Sequence, residues 1–369
     1  MKRVFHLMPA LNYGGTETVV ASLCRYQINT LGYDSRIILF GENNRMDISS
    51  DIQVIQILNC NASLGWLGNK MVGVEKLIEL IKVEKPDVIH SHSEWTTLIA
   101  LSCKIKSVKY IFHYHRYFSK PKVRRSALTR FSENVLVTFL LTRFGNSKII
   151  AVSEKLKGQI FHLYPILRLY KNMVQVVGNP IPSARNGKPV PLAVKNPFLI
   201  LTVSRLEHEK NIFAIISIAE KLESLMPFIW EIYGSGNQSE LFDKKVQAAN
   251  LKNRIILKGV TNDLTNVYPK YDVYVSVSNC ETFGLTILES LSQGIPVIAR
   301  KNGGSNDFLV NKLNAIYLDT DNPNKFAKAI HDISFDEKVK SIRLNGLKTA
   351  SRYFINSIGQ KIDLIYKSG

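Results

Sequence analysis

Two acids eight residues apart make the strongest chemical signal in this chain. The segment Ser278-Asn279-Cys280-Glu281-Thr282-Phe283-Gly284-Leu285-Thr286-Ile287-Leu288-Glu289-Ser290 lies between two apolar, β-branched runs at 273–277 and 296–299. Glu281 falls in the turn, and Phe283 and Gly284 open a helix whose first N–H groups have no partner within it. Glu289 falls inside that helix among Leu285, Ile287, Leu288 and Leu291, where a carboxylate needs a polar partner. A pair of vicinal ribose hydroxyls is such a partner. Paired carboxylates also serve glycoside hydrolysis, but no aromatic platform for a sugar surrounds these two.

A second group of charges follows the run at 198–203. Ser204-Arg205-Leu206-Glu207-His208-Glu209-Lys210 puts a guanidinium and an ammonium on one loop at the carboxyl end of a strand. That combination suits a diphosphate, the Arg by bidentate contact and the Lys as a point charge. An ordinary surface charge cluster accounts for the segment equally well when it is taken alone.

Near the start, Gly14 and Gly15 follow the run at 4–8 and precede a helix beginning near Glu17. Paired glycines there let backbone N–H groups approach an anion, though a plain turn needs them as much. The third glycine of a dinucleotide fingerprint is missing, and Tyr233-Gly234-Ser235-Gly236 lacks its continuation too, which argues against a nicotinamide cofactor. His90 and His92 end one expected strand and His113 and His115 the next, each pair on one face. A metal would want a carboxylate or thiolate nearby, and Glu94 is the one candidate close in sequence, so no metal is expected. Asp319-Thr320-Asp321 has the look of a metal-binding pair, but Pro323 opens a helix just beyond it, and helix capping is the expected role.

The elements that must position these residues alternate along the chain. Strands are expected at 4–8, 35–40, 54–57, 88–92, 110–113, 148–152 and 174–177, with helices at 17–31, 74–83, 128–144 and 154–164. A Pro- and Gly-bearing stretch then interrupts the pattern, and strands resume at 198–203, 228–233, 254–257, 273–277, 296–299 and 315–318. This reads as an α/β chain of two doubly wound halves, with an acceptor-side domain at 1–178, a linker at 179–197, a sugar-nucleotide-binding domain at 198–352 and a closing helix at 353–369 expected to pack back on the first domain. Tandem halves of this kind place a ligand cleft at the carboxyl ends of their sheets.

Composition limits the remaining readings. The 369 residues suffice for two domains, and 45% hydrophobic residues with a mean hydropathy of −0.02 describe a globular chain; the apolar run at 4–8 is too short for a signal peptide or a membrane span, so neither is expected. Four scattered cysteines suggest a reducing compartment, the cytoplasm. The net charge of +18 is uneven: residues 1–180 hold 24 Lys and Arg against 12 Asp and Glu, the rest 24 against 18. Residues 104–130 contain nine bases and no acid. Such a run seeks an anionic partner or merely keeps a face solvated. With the expected helix at 128–144 beside it, an anionic membrane surface is the partner proposed, and the protein is expected to be peripheral on the inner membrane face.

Glu281-Thr282-Phe283-Gly284 with Glu289 and Gly294-Ile295-Pro296-Val297 resembles the donor-site signature of retaining glycosyltransferases of the family-4 type, which have the GT-B fold of two Rossmann-like domains facing a central cleft. The resemblance spans nearly the whole chain, including the Gly14-Gly15 loop with Glu17, the Val177-Gly178-Asn179-Pro180-Ile181 segment, Arg205 with Lys210, and Gly303-Gly304. It implies that Arg205 and Lys210 bind the donor diphosphate and Glu289 the ribose. Glu281 would hold a hydroxyl of the transferred sugar beside the amides of Phe283 and Gly284, and Gly14 and Gly15 would approach the phosphate. The family's histidine near the donor sugar matches His113 or His115, with His115 preferred because it lies further into the loop. Ser204, Asn211, Asp307 and Ala315 depart from the usual residues, which bears on sugar specificity.

The resulting expectation is a hexosyl- or N-acetylhexosaminyltransferase that needs no metal or other cofactor. It would use a nucleotide-sugar donor, UDP-linked before GDP-linked, and a glycan or lipid-linked acceptor in surface polysaccharide or lipopolysaccharide synthesis. A phosphorylase or epimerase on the same fold is the nearest rival. A basic membrane- or nucleic-acid-binding protein without catalysis is the rival of another class, and it gives no account of Glu289; nucleic acid is not an expected partner.

Overall fold

The computed structural model describes residues 1–12, 14–41, 46, 48, 50–57, 74–103, 105–118, 147–182, 196–261, 263–335 and 338–368. The expected helix at 128–144, residues 104 and 119–130 of the basic run and the proline-rich stretch 183–195 lie outside them. The chain divides into two compact units, Met1–Pro180 with Ile355–Gly369, and Ile181–Phe354.

Unit 1 is built on seven parallel strands in the order β3-β2-β1-β4-β5-β6-β7. They are β1 (Arg3–Met8), β2 (Asp34–Leu39), β3 (Gln53–Gln56), β4 (Val88–Ser91), β5 (Lys109–Tyr114), β6 (Lys148–Ala151) and β7 (Val174–Val176). Helices α1 (Gly15–Asn29), α2 (Val74–Glu84), α3 (Glu94–Ser102) and α4 (Glu154–Leu163) connect them. The central strands are buried on both faces, as helix-covered parallel strands must be, and their runs are accordingly apolar. Strand order reverses beside β1, so the carboxyl ends of β1 and β4 flank a switch point. Serines start the helices after β4 and β6: Ser93 accepts from Thr96 N at 3.1 Å in a capping box, and Ser153 accepts from Leu156 N at 3.3 Å.

At the opposite edge, Arg3 and Arg36 converge on Asp34 at 2.6 and 2.7 Å, and Arg36 reaches Glu84 at 3.2 Å. The Arg36 hydrogen bond leads in holding the Asp34 carboxyl below its usual range. This network ties β1, β2 and the end of α2 together.

Unit 2 has six parallel strands in the order β10-β9-β8-β11-β12-β13. They are β8 (Phe198–Val203), β9 (Phe228–Tyr233), β10 (Ile255–Gly259), β11 (Val273–Ser276), β12 (Val297–Arg300) and β13 (Ile316–Leu318). Its helices are α5 (Ala214–Leu222), α6 (Ser239–Ala248), α7 (Leu264–Val267), α8 (Leu285–Ser292), α9 (Pro323–Ile333) and α10 (Val339–Ser351). Ile200, Trp230, Ile232, Val275 and Ile298 form the centre of the core, into which α5 sends Ile215 and Ile218 and α9 sends Phe326 and Ile330. Two polar atoms inside it are paired in series: Trp230 Nε1 donates to Thr202 Oγ1 at 3.0 Å, and that hydroxyl donates to Val275 O at 2.7 Å.

The closing helix α11 (Ile355–Lys367) belongs to unit 1. It buries Ile358, Ile362, Ile365 and Tyr366, and packs on α1 where Gly359 meets the Tyr26 ring so closely that a Cβ would overlap it. Tyr366 and Gln27 are hydrogen-bonded, as are Asp363 and Tyr33. Lys109, a member of the basic run, is drawn inward: its ammonium donates to Ser368 O. Among the described residues no helix is long and apolar enough to cross a membrane.

Candidate active site

Four loops at the carboxyl edge of the unit 2 sheet hold the expected donor residues, and backbone bonds join them. Leu206 N donates to Ser235 O at 3.0 Å and Asn279 N to Glu209 O at 3.0 Å. Gly304 N donates to Glu281 O at 2.8 Å, and Asn302 Nδ2 to Ser278 O at 3.2 Å. These contacts link the loops after β9, β8, β11 and β12 into one layer. Two glycines allow the approach: a Cβ on Gly234 would overlap the Ser204 carbonyl, and one on Gly304 the Thr282 carbonyl. The Gly234-Ser235-Gly236 turn, which lacks a dinucleotide fingerprint, thus serves to seat the loop carrying Arg205.

Within this layer Lys210 Nζ lies 2.8 Å from Glu281 Oε1, and both side chains are largely buried. The family resemblance implies separate ligands for them, a phosphate and a sugar hydroxyl; the fold brings them together as an ion pair. Arg205 extends into solvent and pairs with Glu209 at 2.8 Å. An exposed pair of this type is worth about 0–1 kcal/mol, so an anionic ligand can displace Glu209 at little cost. Phe283 is buried against Phe308 and Tyr353. Gly284, at φ 101°, turns the chain into α8 in a conformation that other residues rarely adopt.

Glu289 is half-buried on α8. The Tyr268 hydroxyl donates to its Oε2 at 2.8 Å, the single side chain among the described residues that reaches the carboxylate. Burial raises Glu289 above the usual carboxylate range, and the Tyr268 bond draws it part of the way back. The polar partner that sequence analysis sought in a ribose is therefore supplied in part by the protein, which leaves Oε1 available. Tyr268 itself was missed. It sits in an unpatterned short helical turn, and nothing local in sequence connects it to a residue 21 positions later.

Asp319 and Asp321 do not cap α9 as expected. Asn322 does, accepting from Asn324 N at 3.0 Å, while Asp319 pairs with Lys301 at 3.6 Å and Asp321 with Arg300. Proline at the first helical position leaves the residue before it as the cap, and the two acids fall outside it.

Unit 1 has a pocket of about 580 Å³ at the carboxyl ends of β1, β4 and β5, lined among others by Thr16, Glu17, His92, Glu94, Trp95 and His115. Gly14 and Gly15 open α1 beside it, and the Glu17 carboxylate folds over Gly14. Burial raises Glu94 above its usual range. His115 lines the pocket; His113, fully buried in β5, does not.

Behind the pocket wall the two histidine pairs belong to a larger cluster. His6 on β1 is the register partner of His90, so His6, His90, His92, His113 and His115 share one face of three adjacent strands. Hydrogen bonds join three of them in series: Gln27 Oε1 to His6 Nε2 at 2.8 Å, His6 Nδ1 to His92 Nε2 at 2.9 Å, His92 Nδ1 to His115 Nε2 at 3.1 Å, and His115 Nδ1 to Asn179 Oδ1 at 2.9 Å. His90 Nδ1 lies 2.6 Å from the Tyr366 hydroxyl. Burial lowers all five, His6 and His115 to about 4 and the others well below their usual value. His6, Gln27 and Tyr366 are members of the cluster that the spacing of the two histidine pairs does not disclose. A histidine in the first apolar run, on the parity that β-pairing would bring beside His90, was the available signal.

Two family models match the chain, one described as Glycosyltransferase Family 4 over residues 13–185 and one as Glycosyl transferases group 1 over residues 185–348. The UDP-N-acetylglucosamine–peptide N-acetylglucosaminyltransferase GtfA subunit of Streptococcus pneumoniae is 34% identical over 105 residues, 28% of this chain and 21% of that protein; the chain thus matches about a fifth of its length. The UDP-Gal:alpha-D-GlcNAc-diphosphoundecaprenol alpha-1,3-galactosyltransferase of Escherichia coli is 25% identical over 74% of this chain and 72% of its own. The structure of Anabaena HepE in complex with UDP and glucose superposes on the whole of both chains with a TM-score of 0.79 at 18% identity. Two parallel-stranded units, an acid–base layer at the carboxyl edge of the second, and family models covering both lead to one conclusion: the chain is a glycosyltransferase of the GT-B fold and family-4 type.

Proposed function

We propose that this enzyme transfers a hexosyl or N-acetylhexosaminyl group, with retention, from a UDP-sugar to a glycan or lipid-linked acceptor in surface glycan synthesis. The observation that carries the reading is the Lys210–Glu281 pair at 2.8 Å, with Glu289 on the helix that follows and Arg205 on the same loop as Lys210. Relatives whose names specify UDP-linked donors support the choice of base. Glu281, ion-paired with Lys210 and fixed by the Gly304 amide on its carbonyl, accepts from a sugar hydroxyl. Lys210 and Arg205 offset the charge that develops on the departing diphosphate, a contribution aimed at the transition state. Glu289 Oε1 accepts from the ribose.

The pocket of unit 1, with Trp95 and Glu94, is assigned to the acceptor. The bases of residues 104–130 would hold the enzyme at an anionic membrane surface.

Turnover with a panel of UDP-, GDP- and ADP-sugars tests the donor. The expected outcome is UDP-sugar turnover that falls about 10²–10³-fold in each of Lys210→Ala and Glu281→Gln, with a cooperative thermal transition retained in Glu281→Gln at a lowered midpoint, because Lys210 loses its buried counter-charge. Because guanidinium and ammonium serve the diphosphate, Mg²⁺ or Mn²⁺ added to chelator-treated enzyme should not raise turnover. Wild-type rates in an Arg205→Ala, Lys210→Ala double variant would reject the assignment.

A further inference from the structure

The histidine cluster of unit 1 stands apart from the donor chemistry, and its protons do not balance. As placed, Gln27 Oε1 accepts from Ser35 Oγ at 2.6 Å while Gln27 Nε2 donates to Tyr366 at 3.1 Å, so Oε1 is the atom that faces His6. His6 Nε2 therefore carries the proton, His6 Nδ1 accepts, and His92 Nε2 donates to it. At the other end His115 Nδ1 faces the Asn179 carbonyl oxygen and donates. With each ring neutral, as burial requires, His92 Nδ1 and His115 Nε2 are left without protons and 3.1 Å apart. Two lone pairs so placed repel unless something positive lies between them. A fully buried imidazole with no hydrogen-bond partner on either ring nitrogen, that of His113, stands beside them, its ring centre 4.0 Å from that of His115.

We infer that His92, His113 and His115 form a binding site for one divalent transition cation of the zinc class, at the wall of the unit 1 pocket. One nitrogen from each ring lies within 4.8 Å of the others. Nitrogens bound to one zinc at about 2.0–2.1 Å stand about 3.3 Å apart in a tetrahedron, close to the His92–His115 spacing. The outer hydrogen bonds are those that imidazole ligands require: the second N–H of His115 goes to Asn179 and that of His92 to His6, itself anchored on Gln27. Three neutral nitrogens suit zinc, nickel or cobalt and exclude magnesium and calcium, which take oxygen ligands. His92 and His115 line the pocket, so a fourth position opens to water, hydroxide or an anionic oxygen.

The test uses the full chain, stripped with a chelator and titrated with Co²⁺. One equivalent should bind with the visible absorption of a four-coordinate site, Zn²⁺ should displace it, and Mg²⁺ should not. His113→Gln should abolish binding, and His6→Gln should weaken it about 10–100-fold by releasing the outer bond to His92. X-ray absorption of the zinc-loaded wild type should count three imidazoles, a measurement that stands even where a variant fails to fold. If folded wild type takes up no Co²⁺ or Zn²⁺, Asn179 is turned to donate to His115 and the cluster is a neutral relay; the proposal then falls. It falls equally if binding survives His113→Gln.

Discussion

Cys280 stands next to Glu281 on the loop after β11, half-exposed, whereas Cys24 and Cys103 are buried. Burial drives the Cys24 thiol up to about 12, so it is neither a nucleophile nor a ligand at neutral pH. Of the three, Cys280 should be alkylated first, and a saturating UDP-sugar should slow the reaction at least tenfold if the donor seats against Glu281. Peptide mapping after iodoacetamide treatment with and without donor reads this directly. At this scale the sequence is legible where chemistry and spacing coincide. Glu281, Glu289 and Lys210 all stand in one unit's edge layer because each follows or closely trails a strand. Tyr268 and Asn179 are illegible for the opposite reason: each acquires its partner across 21 to 64 positions, through pairing that local pattern does not encode.

Elements were easier to read than sites. A parallel strand buried on both faces must be an apolar run, and all thirteen expected runs are strands, displaced by no more than two residues at their ends. What such runs do not disclose is how the loops beyond them meet. Gly304 shows the cost of that ignorance: it looks like one of many turn glycines, yet its missing Cβ is what lets the loop after β12 lie against Thr282 and bond Glu281. Gly304→Ala should push the two loops apart, lowering kcat/KM for the donor by at least tenfold while unfolding shifts by no more than about 1–3 kcal/mol. Equal activity in this variant would show that the bond from Gly304 to Glu281 does not position the acid.

On the scale of the whole molecule, α11 completes the unit in which β1 begins. Tyr366 closes over His90 and Gln27, and Asp363 accepts from Tyr33 while pairing with Lys367 at 2.6 Å. Deleting residues 355–369 removes this cover and should destabilise unit 1 by several kcal/mol, the sum of lost burial and of polar groups left unpartnered. Unit 2 keeps its own core and should still bind UDP. Two-stage unfolding followed by hydrogen exchange separates these effects; equal protection of β1 and β4 in the truncated and full chains would contradict the assignment.

The return of α11 also sets an order of events during synthesis. Residues 1–180 leave the ribosome first, but the helix that closes them is separated from them by residues 181–354. At roughly 5–20 residues per second, that interval lasts roughly 10 to 35 s. Throughout it the apolar side of α1 and the imidazole of His90 have no lid, while unit 2, continuous in sequence, can fold without delay. The nascent enzyme thus spends its most vulnerable period with its first half made and unsealed, and a chaperone that recognises exposed apolar helix faces would have that long to find it.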